Sequence, residues 1–141
     1  MKRKPRPPKK VFLSYATRDR RFADRVARLL RKSGVPVWYS RSHLRGAQQW
    51  QQEIGAAVRR CDWLLIILSP AAVKSMWVKR ELFYALNQKR YENRIIPMLL
   101  RDCDFERLHW ALGGLQMIKL TSSFSAASRA LLRIWGLREK P

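Results

Sequence analysis

The chain has 141 residues, of which 47% are apolar, enough for one domain with a sizeable core. Thirty Lys and Arg face ten Asp and Glu, and the formal charge of +20 excludes an acidic solvating protein and favours anionic partners. Two Cys exclude a disulfide framework and fit a reducing, cytoplasmic setting. The longest purely apolar run, Trp63–Leu68, is far shorter than the ~20 residues of a membrane span, and we expect no signal peptide.

The first nine residues differ in composition from the rest. They contain three prolines and five basic residues and show no apolar periodicity. We therefore predict a flexible basic tail over residues 1–9 and a single domain over residues 10–141. The tail is either a solubilising leader or an anchor for phosphate groups or an acidic surface.

Apolar runs alternate with helical periodicity along the rest of the chain. Five runs predict strands, at Lys10–Tyr15, Val35–Tyr39, Trp63–Leu68, Ile95–Leu100 and Leu115–Leu120. Between them, Asp19 and Gly34 are expected to begin and end the first helix, and Pro97 suggests that the fourth strand lies toward an edge. This alternation predicts an α/β fold with a doubly wound parallel sheet, whose ligands bind beyond the carboxyl ends of the strands.

Several enzyme classes are disfavoured by the residues at those strand ends. The chain contains neither GxxxxGK[ST] nor GxGxxG, and Ser69 stands where a phosphoacceptor receiver domain needs a carboxylate. His43 and His109 are isolated, so we expect no metal site. Acidic neighbours should raise the thiol pKa values of Cys61 and Cys103, which makes both poor nucleophiles.

Five local patterns occur in a fixed order along the chain. They are VFLSYATRDRRFA, VPVWYSRSHLRGAQQW, WLLIILSP, SMWVKREL and RIIPMLL. Together they resemble the bacterial form of the Toll/interleukin-receptor (TIR) domain, over about residues 10–135. The resemblance implies a flavodoxin-like, three-layer fold with five parallel strands in the order 2-1-3-4-5 and helices on both faces.

The same resemblance implies two different functions. Some family members, many of them bacterial and plant, cleave NAD at the nicotinamide–ribose bond and depend on one glutamate that matches Glu81, and for this chain we expect a role in bacterial immune (anti-phage) signalling. Others are noncatalytic interaction modules that act through homotypic assembly. We favour the NAD glycohydrolase or cyclase, with NAD as substrate, no cofactor, and ADP-ribose or a cyclic ADP-ribose as product.

The chemistry explains how one carboxylate could suffice. The nicotinamide nitrogen of NAD is cationic and leaves as a neutral ring, so no general acid is needed, unlike in most glycosidases. Glu81 could hold the ribose and stabilise the oxocarbenium-like charge. Its spacing from Trp77 predicts a position at the rim of the core, beside the indole. The alternative is a surface glutamate paired with Lys79 or Arg80.

Other expected substrate-binding residues are less specific. Ser14, Tyr15 and Ala16 follow the first strand, where the family's nicotinamide-side loop lies, although Ser14 could equally be a plain strand-end hydroxyl. Trp38 could stack on a base or simply pack. Arg45 could meet the NAD pyrophosphate, a neighbouring subunit or only water. The family often has an acid after the tryptophan of this strand, whereas this chain has Tyr39 and Ser40.

The expected partners follow from the resemblance and from the distribution of charge. The resemblance implies self-association, with the loop Ser40–Gly46 as a moving part, and a separate sensor or effector protein could also bind. Nucleic acid binding is not expected, because the positive charge is spread over the helices without a recognition motif.

Overall fold

The computed structural model describes residues 6–39, 55–120 and 123–138, and it contains one parallel sheet. The five strands pair in the order β2-β1-β3-β4-β5. Their bounds are Val11–Ser14 (β1), Val37–Tyr39 (β2), Trp63–Leu68 (β3), Ile95–Leu99 (β4) and Ile118–Lys119 (β5). The predicted fold class and strand order are confirmed.

Helices connect the strands, as a parallel sheet requires. They are α1 (Arg20–Lys32), α2 (described over 55–60), α3 (Pro70–Val73), α4 (Met76–Leu86) and α5 (Phe124–Ile134). Gly34 has φ of +85° just beyond α1, where glycine is the residue that tolerates this backbone. Within the described ranges, no helix is long and apolar enough to cross a bilayer.

The sheet separates two apolar layers, which makes the fold three-layered. Along β3, Leu65 and Ile67 pack toward α1 and α5, whereas Leu64, Ile66 and Leu68 pack toward α4. Residues that alternate along a strand point to opposite faces, so a strand covered on both sides is apolar throughout. This explains the uninterrupted apolar run that predicted β3.

The position of Pro97 corrects one expectation, because β4 lies between β3 and β5 and is not an edge strand. The Arg94 carbonyl and the Leu100 amide form hydrogen bonds with β3. The backbone N–H and C=O groups of the odd-numbered residues between them therefore point toward β5. Strand β5 pairs only from Met98 onward. The missing N–H of Pro97 therefore faces a side where no ladder bond is formed.

The last residues of the predicted tail contact the domain. The backbone amides of Lys9 and Lys10 each donate to the Asp62 carboxylate, at 3.0 Å, and Pro8 is buried. The chain is thus attached to the start of β3 before β1 begins. Residues 1–5 lie outside the described residues.

Candidate active site

Glu81 lies in the middle of α4 and points toward the carboxyl end of β1. Glu81 is 0% exposed. Its Oε1 atom accepts a 2.9 Å hydrogen bond from the hydroxyl of Ser14, which is also fully buried. Ser75 caps the start of helix α4, because its side chain accepts a hydrogen bond from the Val78 amide. Val78 and Leu82 bury the same side of the helix against the sheet, and this packing carries the Glu81 side chain inward.

The burial of Glu81 corrects both sequence-based expectations for its environment. Glu81 lies inside the core rather than at its rim. Because it has no exposed surface, it is not the surface glutamate that the alternative expected. The Lys79 ammonium lies 5.9 Å from the centre of the Phe83 ring instead. A carboxylate taken out of water is costly unless it is hydrogen-bonded, so its retention in the core calls for an explanation other than solubility.

A second buried carboxylate lies at the same edge of the sheet. Asp19, at the end of the 3-10 turn Thr17–Asp19, accepts a hydrogen bond from the Ser69 hydroxyl beyond β3. Ser69 also accepts from the Ala72 amide at 3.1 Å and so caps α3. Asp19 makes no capping hydrogen bond to α1, contrary to expectation. Each of two adjacent strands therefore ends in a serine that donates to a buried carboxylate.

The two cysteines are not activated thiols. Burial raises the pKa of Cys61 to about 12, with a smaller contribution from Asp62. Burial is also the main cause that raises the pKa of Cys103, followed by Asp102, Asp104 and Asp19. The expected direction is confirmed, but desolvation outweighs the acidic neighbours that predicted it.

The other predicted substrate-binding residues lie on both sides of the sheet. Ala16 is buried on the α4 side of the sheet, whereas Tyr15 is half-buried on the opposite side. Trp38 is half-buried and packs on Phe12, with ring centres 4.7 Å apart. Trp77 is half-buried in the first turn of α4. Arg45 and the loop 40–46 lie outside the described residues.

No group of residues in the described ranges could hold a metal ion. The Nδ1 atom of His109 accepts from the Ala111 amide at 3.0 Å, and its ring stacks on Trp110. His109 therefore caps the 3-10 helix Trp110–Gly114 and packs against Trp110. His43 lies outside the described residues.

Sequence reasoning missed the pairing of Asp19 with Ser69. The sequence predicts only a helix cap for Asp19, which precedes α1, and it predicts no partner for Ser69, which stands where a receiver domain has a carboxylate. The usable signal was topological, since Ser69 follows a strand that neighbours β1, and the chain after β1 carries Asp19. A carboxylate at this edge of the sheet, when ionised, can stabilise a cation that forms beside it.

Comparisons with known proteins identify the family of the chain. The TIR domain profile matches residues 11–133. A probable 2' cyclic ADP-D-ribose synthase, TcpO, of Methanobrevibacter olleyae is 23% identical over 114 residues, which cover 80% of this chain and 33% of that protein. The 2' cyclic ADP-D-ribose synthase BtTIR of Bacteroides thetaiotaomicron is 31% identical over 81 residues, covering 55% of this chain and 28% of that protein.

A solved structure gives the same fold. The TIR domains of the activated Roq1 resistosome superpose with a TM-score of 0.70 at 17% identity, covering 88% of this chain and 97% of that chain. This chain matches about a third or less of the length of each of the two curated relatives. Most of each relative therefore has no counterpart in this chain. The strand order and the solved structure show the same fold, and the profile match over residues 11–133 shows that the chain belongs to the TIR domain family.

Proposed function

We propose that this domain cleaves the nicotinamide–ribose bond of NAD, with Glu81 as the catalytic carboxylate. The observation that carries the proposal is the buried Glu81 side chain, held by Ser14 at the carboxyl edge of the sheet. In open α/β sheets this edge is where ligands bind. The names of the two curated relatives, a probable 2' cyclic ADP-D-ribose synthase and a 2' cyclic ADP-D-ribose synthase, support the same chemistry.

The reaction needs charge stabilisation more than proton transfer. When the glycosidic C–N bond breaks, its electron pair stays with the ring nitrogen, and nicotinamide leaves as a neutral molecule. The ribose carbon becomes oxocarbenium-like, and the Glu81 carboxylate stabilises that positive charge. Water then adds and loses a proton to give ADP-ribose, or a group of the same molecule adds to give a cyclic product. We propose Ser14 as a positioning residue, because its hydroxyl fixes Oε1 of Glu81.

The complete burial of Glu81 implies a conformational step before catalysis. A carboxylate with no exposed surface cannot touch a ribose, so substrate must enter as neighbouring segments move. We propose that self-association drives this opening and that the loop Ser40–Gly46 takes part. Arg45 in that loop and Trp38 beside it would then meet the pyrophosphate and the adenosine half of NAD.

An exposed apolar surface supports self-association. Trp110 is 80% exposed and Phe83 is 39% exposed, and both contact the ring of His109. Large exposed aromatic side chains are typical of surfaces that bind other proteins. The TIR domains of the Roq1 resistosome belong to an assembly, and by analogy we propose a second copy of this domain as the partner. We place this activity in intracellular immune signalling, where a separate sensor or effector would control assembly.

Product analysis over a range of protein concentrations tests the proposal. Purified protein is incubated with NAD, and nicotinamide, ADP-ribose and cyclic products are separated by chromatography. We expect nicotinamide to appear together with one of the two ADP-ribose products. If the protein self-associates but releases no nicotinamide at any concentration, the domain is the noncatalytic interaction module that the sequence also allowed.

A further inference from the structure

A cationic cleft lies at the amino edge of the sheet, opposite Glu81. Asp62 and Arg94 immediately precede β3 and β4, and Lys9 lies two residues before β1, so the amino ends of three adjacent strands contribute to its lining. Its volume is about 420 Å³, and its lining includes Arg6, Lys9, Asp62, Trp63, Arg90 and Arg94. Strand β3 has six residues, which separates the two edges by roughly 20 Å.

The charges that line the cleft are unbalanced. Four cationic side chains surround one carboxylate, that of Asp62. Both oxygens of this carboxylate already accept backbone amides, from Lys9 and Lys10. The distance from Asp62 to the Arg94 guanidinium is 4.0 Å, and the Arg94 side chain remains 47% exposed. The cations of the cleft therefore keep donors for another anion.

The donors are suited to phosphate groups. Arginine presents a planar fork that binds phosphate oxygens in pairs, and three of the four cations are arginines. Arg90 is held in place because its Nη1 donates to the Arg59 carbonyl. A concave wall with an excess of positive charge concentrates the field more than the same charges on an open surface.

The size of the cleft and its aromatic residue indicate a small ligand. A volume of about 420 Å³ is in the range of small-molecule sites. Trp63 packs edge-on against the buried Trp135, with ring centres 5.7 Å apart, so its ring is already engaged in the core. Single-stranded nucleic acid is normally bound by aromatic rings that bases can stack on. These observations favour recognition of phosphate groups over recognition of bases.

We propose that this cleft is a second ligand site, which binds a small anion with two or more linked phosphates. The linked phosphates could be inorganic or could belong to a nucleotide. The site is independent of the candidate active site, because it uses the opposite edge of the sheet and none of the residues around Glu81.

Calorimetric titration with inorganic tripolyphosphate tests the proposal, and ATP in a parallel titration distinguishes the two sources. The variant R6Q/K9Q removes two cleft charges and leaves the backbone amides that bind Asp62 unchanged. The control R21Q/R28Q removes two charges from the exposed side of α1. We expect saturable binding at one site, at least about tenfold weaker in R6Q/K9Q and changed less than about twofold in the control.

The comparison of the two variants decides the outcome. Equal affinities for tripolyphosphate and ATP indicate that phosphate alone is recognised, and tighter binding of ATP indicates a nucleotide. An equal loss of affinity in both variants shows that binding follows net charge, which overturns the proposal. Absence of saturable binding also overturns it, as does affinity for single-stranded DNA that exceeds that for tripolyphosphate and grows with length.

Discussion

Replacing Ser14 with alanine is expected to destabilise the domain and slow NAD cleavage. The variant removes the donor that lies 2.9 Å from Oε1 of Glu81, where both residues are fully buried. A hydrogen bond to a charged group contributes about 1.5–3 kcal/mol. For 141 residues, the entropy of unfolding converts each kcal/mol into about 3–4 °C, so the melting temperature should fall by about 5–10 °C.

Ser128→Ala is the matched control for this variant. Ser128 is also buried, but its hydroxyl donates at 2.7 Å to the Phe124 carbonyl within α5, so no carboxylate loses a donor. We expect the control to change stability by less than about 1 kcal/mol. Thermal unfolding and steady-state kinetics are measured on both variants. In Ser14→Ala, kcat should fall about tenfold with a smaller change in KM, because Glu81 is less well positioned. Equal melting temperatures for the two variants, with unchanged kcat in Ser14→Ala, would show that the Ser14 hydroxyl neither stabilises the domain nor positions Glu81.

Three further predictions concern other parts of the structure. In chemical denaturation, Ser69→Ala should lower the free energy of unfolding by about 1–3 kcal/mol more than Ser123→Ala does. Both variants remove a helix cap, but only Ser69→Ala deprives Asp19 of its hydrogen-bond donor. Equal losses in the two variants would contradict this prediction. The raised pKa of Cys61 means that the unfolded thiol ionises above pH 9 while the native thiol stays protonated. The stability advantage of the wild type over Cys61→Ala should therefore shrink as pH rises from 9 toward 12, and a constant difference would show that the native thiol titrates normally. Specific NAD-cleaving activity should rise with protein concentration, whereas constant activity over a roughly hundredfold dilution below the dimerisation constant would show that one subunit suffices.

The fold was predictable because its signals are local and repeated. The run Trp63–Leu68 is apolar at every position, and in a domain of this size such a strand must be covered on both faces. Gly34 and Pro70 mark boundaries through their backbone preferences alone. The edge position inferred from Pro97 was wrong because a short neighbouring strand can leave one side of an interior strand without ladder bonds.

The candidate site was predictable only in part, because its contacts join residues far apart in the chain. Ser14 and Glu81 are separated by 67 positions, and Asp19 and Ser69 by 50. Helical periodicity places Glu81 beside the apolar stripe of α4, but it does not tell whether the sheet encloses that position. The rim was therefore expected where the structure has a buried carboxylate. The same limit applies to Asp62, whose backbone partners cannot be inferred from side-chain patterns.

The most direct test of the account is nicotinamide release by the wild type, Glu81→Gln and Glu92→Gln at one high protein concentration. Glutamine keeps the shape of Glu81 and an oxygen that can accept from Ser14, and its buried amide costs about 1–3 kcal/mol, so the variant should remain folded. Glu92 is exposed at the amino edge of the sheet and provides the same substitution away from the site. We expect Glu92→Gln to keep the wild-type rate, and folded Glu81→Gln to release nicotinamide at least about 100-fold more slowly. Undiminished turnover in Glu81→Gln would contradict the assignment of Glu81 as the catalytic carboxylate.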